Sequence, residues 1–510
     1  MSNMLSKFIP DDLMEQILLA ADVESVIRCR RVARRFHKLI EHSTRLRYKV
    51  ELALDNLEDE FPSKYTIAER LEMLRSRRRA WNTVQFKDKR FVIRERNANF
   101  HTRLTPSCIT GYDARVDPRD PPGVISISRV QDGQVEDSWK VSTADVVIGQ
   151  LESFCLYNKH ELLVLLEHRD DDWIVHFRCW KTDSAHSRAF HPHFLAGSGV
   201  LGPLSSGGLG IHVRMRVVEE YAVVDWDALD DRRRLVIYNW HTGETVVNIF
   251  SSSPFDFMLV SQRYLLLVYD TLDGPFSLSV IDLHDANEQR APEIALQKLQ
   301  DSAEARPSTL FSSLGSMITL VVGYVDPLQI MEEEEEFTLF LPQPVLMDCL
   351  DKAQNGPRSF SWDEWGPDNT RLIRTLTSSR MDFFTPLGQR AISWGSPLNP
   401  DDGRLTATGN IMELHLYDFA SLAVRKHRTD LELGRAEGGV ELSECWTYGP
   451  SVVFKSQVLA SMLPALIRHV NWRLDNGRDI TEFRSIQLSD GGFLVDYELE
   501  TRFEDHLLTF

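Results

Sequence analysis

Cysteine is scarce and scattered. The 510 residues hold six, at Cys29, Cys108, Cys155, Cys179, Cys349 and Cys445, and no two form a C-x-x-C. That pattern argues against a disulfide framework and against a cysteine zinc site, and it suits a reducing compartment. No apolar run reaches the roughly 18 residues of a membrane span. The stretch Met1–Pro10 lacks a charged leader followed by an apolar segment, so no signal peptide is expected. Asn-x-Ser/Thr sequons are missing too. So are H-E-x-x-H, a Walker A loop and G-x-S-x-G. The expectation is a chain without cofactor or metal, away from membranes, in the cytoplasm and/or nucleus.

What is present is ordinary globular composition, 43% hydrophobic and 26% charged, enough to bury a sizeable core in more than one domain. The net charge of −18 is unevenly spread. Residues 1–100 carry 21 Lys+Arg and 15 Asp+Glu, a balance of +6, which leaves −24 for the remainder. So acidic a body is a poor general binder of nucleic acid, and the two parts are suited to different partners.

The first ~80 residues read as helical by apolar spacing. Leu13, Ile17 and Leu18 share one face of a helix opening after Pro10. Val26, Cys29, Ala33, Phe36 and Ile40 follow at 3,4,3,4 spacing, widened by Val32 and Leu39, as one buried helix face. Leu46, Val50, Leu54 and Leu57 form a third stretch that Pro62 ends. Thr66 and Glu69 make a capping box for a fourth helix carrying Ile67, Leu71, Leu74 and Trp81.

Beyond Trp81, short β-branched and aromatic runs recur between Gly, Pro, Asn and Asp: Val124–Ser128, Val146–Gly149, Leu162–Leu166 and Ile174–Trp180. Pro344–Gln354 and Val458–His469 stand out as helical candidates. Three segments resemble one another, Glu161–Trp180, Tyr221–Trp240 and Tyr264–Leu283: an apolar strand, an Asp-containing turn and a second apolar strand. Met412–Phe419 has only the second strand. The starts lie 60 and 43 residues apart. The second spacing approximates a four-stranded propeller blade, and the first fits a blade enlarged by the Gly/Ser-rich stretch Gly197–Gly210. A lone hairpin cannot bury its apolar face, whereas stacked blades can. The expected fold is an α+β multidomain chain: helices, then a large all-β domain of propeller type, with a β-sandwich as the alternative.

Other motifs read as structure. Gly197–Gly202 fits G-x-G-x-x-G but lacks the following helix that dinucleotide binding needs, and reads as a loop. His186, His191 and His193 cluster without metal-site spacing and read as solvated. Glu332–Glu336, Asp170–Asp172 and Asp227–Asp231 read as solvated acidic loops. The arginines at 28, 30, 31, 34, 35, 75, 77, 78 and 79 read as polar faces of amphipathic helices.

The segment Phe8–Ile40, FIPDDLMEQILLAADVESVIRCRRVARRFHKLI, resembles the F-box. Ile9-Pro10 stands at the Leu-Pro position. Leu13, Ile17 and Leu18 match the first helix, Val23, Val26 and Ile27 the second, and Val32, Phe36, Leu39 and Ile40 the end. The departures are Ile9 for Leu, Ala20-Ala21 for Leu or Phe, and Ala33 for Ser or Cys. Arg47–Leu54 and Ala68–Trp81 resemble the linker helices of fungal F-box families. The resemblance implies three parts: an F-box over 1–45, a helical linker over 46–95 and a substrate-binding β-rich domain over 96–510. It implies a substrate receptor of a Skp–cullin–F-box ubiquitin ligase, docking a Skp-type adaptor, and through it a cullin, by those twelve residues. The protein substrate and its binding residues are unspecified. The rival readings are an interaction or scaffold protein whose helices cap the β domain, a propeller enzyme, and a nucleic-acid binder using the basic helices.

Overall fold

The structure is a computed structural model. It describes residues 9–59, 65–85, 88–95, 100–105, 108–113, 123–131, 134–143, 145–170, 172–198, 211–228, 233–251, 255–259, 263–269, 278–283, 299–300, 311–313, 317–324, 335–352, 366–376, 383–387, 389–395, 411–436, 438–448, 459–473, 483–489, 492–498 and 502–509.

Among the described residues, five helices come first: α1 (Asp11–Ala20), α2 (Val23–Val32), α3 (Arg34–His42), α4 (Thr44–Leu54) and α5 (Ile67–Thr83). Their starts follow from local chemistry. Pro10 precedes α1, which places Asp11 and Asp12 in its first turn, where the helix dipole favours carboxylates. Asp22 caps α2, accepting the Ser25 N–H at 2.8 Å and its hydroxyl at 2.7 Å. Those two bonds hold the Asp22 carboxyl below the usual aspartate range. Ser43 caps α4 by accepting the Leu46 N–H. The Thr66–Glu69 capping box opens α5 as the sequence predicts: Thr66 N–H donates to Glu69 at 2.7 Å, and Glu69 N–H donates back to Thr66 Oγ1 at 3.3 Å.

The apolar stripe Val26–Ile40 is not one helix. Ala33 is extended (φ −148°, ψ 145°) and separates α2 from α3. Nor does the third stretch run to Leu57: α4 ends at Leu54, and Leu57–Asp59 is a strand paired with Phe311–Ser313. Two small cores result. One joins Leu18, Val26, Ile40 and Leu46. The other joins Tyr48, Leu52 and Leu57 to Leu71 and Leu74.

The remainder is a β-propeller. Among the described residues, seven antiparallel sheets of three to five strands follow in chain order. Blade 1 spans 100–142, blade 2 150–198, blade 3 211–251, blade 4 255–282, blade 5 299–376 and blade 6 383–473. Blade 7 joins the chain ends: Asp88–Glu95 pairs with Arg502–Thr509, outside Gly492–Glu498 and Phe483–Ser489. The first strands of blades 7 and 1 abut, which closes the ring. The helical linker expected over 46–95 therefore gives way to the β domain at Asp88.

The three repeated segments are the middle hairpins of blades 2, 3 and 4. One backbone bond closes each: Trp180 N–H to Glu161, Trp240 N–H to Glu220 and Leu283 N–H to Arg263. Blade 6 repeats it, Phe419 N–H to Gln389, and so supplies the missing first strand, Arg390–Gly395, for Met412–Phe419. Blade 2 is lengthened by Ser184–Ala185 and His193–Ser198, and the larger part of the longer first spacing falls in 199–210, outside the described residues. The apolar hairpin faces are buried between blades: Ile127, Phe154 and Leu163 between blades 1 and 2, Val164, Phe177, Trp226 and Trp240 between 2 and 3, and Val223, Leu235, Leu265 and Leu267 between 3 and 4.

Several expectations are corrected. Val146–Gly149 is a turn, and the strand begins at Gln150, because Thr143 turns the chain there by accepting N–H bonds from Val146 and Val147. Val458–His469 is not helical: it contains the strand Leu459–Ser461 and the start of Ala465–Arg473, whose pairing with Ile411–Asp418 buries Ala465 and Ile467 on alternate positions. Pro344–Gln354 does correspond to a helix, α6 (Gln343–Lys352), and a further one, α7 (Ser421–Glu432), is inserted in blade 6.

Candidate functional site

The structure divides the twelve F-box-like residues into two sets. Leu18, Val26 and Ile40 are sealed in the small helical core, with Met14 also buried. Pro10, Leu13, Ile17 and Val32 face solvent. Leu13 and Ile17, one turn apart on α1, are each 57% exposed, and Val32 is 76% exposed. Ile9, Val23, Ile27, Phe36 and Leu39 are half-buried. Leu13 and Leu18 thus occupy opposite sides of α1, not the single face that their spacing predicts. Arg35 joins the exposed elements: its guanidinium donates to the Ile9 carbonyl at 2.6 Å and to Asp11 at 2.6 and 2.9 Å, which holds the start of α1 against α3.

The core beneath this face contains only residues of α1 to α4, so the Val26–Ile40 side chains are buried by their own helices rather than by residues beyond 100. The contacts of α2 to α7 include two polar ones. Glu24 on α2 pairs with Arg425 on α7 at 2.8 Å, and Arg31 reaches Thr429 at 3.5 Å.

A buried charge network mounts the helices on blade 6. Asp55, just after α4, accepts from Arg390 at 2.7 Å and from Arg78 of α5 at 2.8 Å. Arg390 also pairs with Asp418 at 3.1 Å and lies over the Trp81 ring. Arg78 binds Glu51 as well. Burial alone would raise the Asp55 carboxyl, but Arg390 and Arg78 outweigh it and hold it below the usual aspartate range. Trp81 and Val84 then enter the apolar core shared by blades 6 and 7, with Trp394, Leu414 and Trp472.

Most of the arginine groups are consumed internally. Arg28 pairs with Glu24, Arg30 with Glu41, Arg75 with Glu51 and Arg79 with Glu72, in addition to Arg35 and Arg78. Arg28, Arg30, Arg35 and Arg79 serve as polar helix faces, whereas Arg75 and Arg78 are half-buried against Glu51 and belong to the network on blade 6.

The histidine cluster is not brought together. His186 is buried, not solvated, with Nε2 2.8 Å from the His160 carbonyl oxygen and its ring edge-on to Trp240. His191 and His193 are exposed. Gly197 and Ser198 end a strand that pairs with blade 2, so this part of the glycine motif is not a loop, and 199–210 lies outside the described residues. Glu335 and Glu336 begin a strand rather than a loop, and Asp172 and Asp227 likewise lie in strands; the rest of the glutamate run falls outside the described residues.

Blade 2 holds a feature the sequence did not flag. Glu167, fully buried, accepts N–H bonds from Ile148 and Gly149 at 2.8 and 2.5 Å and binds Arg169 and His176, each at 2.8 Å. Burial would raise its carboxyl, but these donors hold it low. Burial lowers the His176 imidazole against the pull of Glu167. A cavity of about 350 Å³ lies beside Arg169, His176 and His193. With every Glu167 oxygen engaged, the cluster anchors the blade's entry turn.

No family model matches the chain, and no curated protein matches it. Among solved structures, the WD40 domain of SCAP from fission yeast is 8% identical, with 82% of this chain and 98% of that one covered and a TM-score of 0.31. The Dos1 propeller is 9% identical, with 82% and 94% covered and a TM-score of 0.33. The β-propeller domain of the Trilobed protease from Pyrococcus furiosus is 6% identical, with 75% and 99% covered and a TM-score of 0.34. Similarity at this level carries no statement of function, and the propeller assignment rests on the chain's own sheet order and closure. No helix among the described residues is long and apolar enough to cross a membrane.

Proposed function

We propose that this chain is the substrate receptor of a Skp–cullin–F-box ubiquitin ligase, with the N-terminal helices docking a Skp-type adaptor and the propeller presenting a surface for a protein substrate. The observation that carries the reading is the pair Leu13 and Ile17, exposed one turn apart on α1, with Pro10 and Val32 exposed as well, in a segment that resembles the F-box. Large aliphatic side chains grouped in water are unfavourable alone and favourable under a partner. The helical core below them is complete without the propeller, so the face is free to take a partner while Asp55, Arg78 and Arg390 fix its orientation to the blades. The chain contributes no catalytic residue in this reading; other subunits perform ubiquitin transfer.

The test is capture of a purified Skp-type adaptor by the full-length chain. Replacing Leu13 and Ile17 together by Asp is expected to reduce binding by at least about a hundredfold, in line with the loss of two buried anchor side chains. Both side chains are solvent-exposed in the free chain, so its melting temperature is expected to stay unchanged. Adaptor binding that survives this double substitution contradicts the proposal.

A further inference from the structure

We propose that Glu413, His415 and His469 form a binding site for a divalent transition-metal ion of the zinc, cobalt or nickel class on blade 6, independently of adaptor docking. The strands Ile411–Asp418 and Ala465–Arg473 run antiparallel, with His415 directly opposite His469. Side chains alternate along a strand, so Glu413 shares the His415 face while Met412, Leu414 and Leu416 turn into the core. The two imidazoles sit with centroids 4.6 Å apart and tilted by 68°. Glu413 Oε1 lies 3.1 Å from His415 Nε2 and 3.6 Å from His469 Nδ1, and all three donor atoms are within 4.8 Å of one another. Ligands at the usual zinc distances of about 2.0–2.2 Å in a tetrahedron stand about 3.3 Å apart, so the two Glu413 distances fit as they stand, and rotation of the half-exposed His469 would bring the second ring nitrogen in.

Two details favour a cation over a plain surface cluster. His415 Nε2 is buried and makes no hydrogen bond, although Glu413 Oε1 is 3.1 Å away, because the approach lacks hydrogen-bond direction; an ion between them would satisfy both atoms. On the far side of His469, Nε2 faces Glu441 Oε2 at 3.9 Å, from the neighbouring strand Val440–Ser443. At 3.9 Å the carboxylate is an electrostatic neighbour that favours the proton on Nε2 and so Nδ1 as the ligand, and closing to a hydrogen bond would give the arrangement that orients metal-bound histidines. Two imidazoles and one carboxylate suit zinc and its neighbours rather than calcium or magnesium. His469 is half exposed, so the ion enters from solvent and water completes its coordination.

The test is calorimetric titration of the full-length chain, without a histidine tag, with zinc chloride alone. One saturable site per chain is expected, weakened by more than about tenfold in H469A and in H415A, and by about tenfold in E441Q. Cobalt chloride is expected to give a visible ligand-field band that H469A abolishes. Because His469 is half exposed, H469A decides the matter even if H415A folds poorly. Absence of saturable binding, or zinc affinity unchanged in H469A, overturns the proposal.

Discussion

Asp55 is the side chain on which the seating of the helices turns, since it is buried between Arg390 of blade 6 and Arg78 of α5. Removing one partner of such a group strands the others without solvent. Asp55→Asn or Arg390→Met is therefore expected to destabilise the fold by about 3–5 kcal/mol in urea unfolding, and the double variant by less than the sum of the two. Independent additivity would contradict the pairing. The pH dependence follows from the lowered carboxyl. A group whose folded pKa lies below its unfolded value of about 4 contributes fully above that value, and the contribution is lost as pH falls through the folded pKa. Wild-type stability should fall in that acid window, and the Asp55→Asn profile should be flatter there. Gly149 is a second decisive residue: a Cβ at this position would lie 2.2 Å from the His168 carbonyl oxygen, so Gly149→Ala must displace backbone beside Glu167. A loss of about 1–3 kcal/mol is expected, read as a lowered melting temperature. Neither Asp55 nor Glu167 was legible in the sequence. A lone acid at the end of an amphipathic helix or of a strand looks solvated, and the partner that changes the meaning of Asp55, Arg390, is 335 residues away.

At the scale of elements, what could be read depended on whether the deciding contacts were local. The α5 capping box was legible because Thr66 and Glu69 are three residues apart and satisfy each other. The hairpins of blades 2, 3 and 4 were legible because a short turn joins their strands. The break at Ala33 was not, since apolar spacing across α2 and α3 is unaffected by one extended residue. Helix α7 was missed because it buries only Val424 and His427 and so shows no clear stripe. The segment around Ala465 looked helical because its apolar residues also fit a 3,4 spacing, and only pairing with Ile411–Asp418 selects the strand. The closing strand Asp88–Glu95 yields a direct test. A chain beginning at residue 100 lacks it and leaves Arg502–Thr509 as an open edge. That chain is expected to aggregate in size-exclusion chromatography, while one beginning at residue 80 keeps the closing strand together with Trp81 and Val84. Equal monomer recovery from both would count against closure by this strand.

Over the whole molecule, the arginines behind the positive N-terminal balance are mostly paired within the helical unit, and the propeller buries much of its apolar area between blades. Exposed large apolar side chains occur on both, Leu13, Ile17 and Val32 on the helices and Ile148, Phe190 and Phe250 among those on the blades. Blade number was not legible, because repeats that differ in turn length and insertions hide their common hairpin, as blade 6 does with the long connection between Gly395 and Ile411. The division of the F-box-like residues into buried and exposed sets was equally hidden, since spacing identifies a stripe but not which part of it the neighbouring helices cover. Under the proposed function, the uncovered part of α1 and the end of α2 receive an adaptor. Hydrogen–deuterium exchange of the full-length chain with and without a purified Skp-type adaptor reads this out residue by residue. New protection is expected in residues 9–20 and 32–39 alone, with blades 1 to 7 unchanged; no protection in those segments, or protection only in the blades, would contradict the proposal.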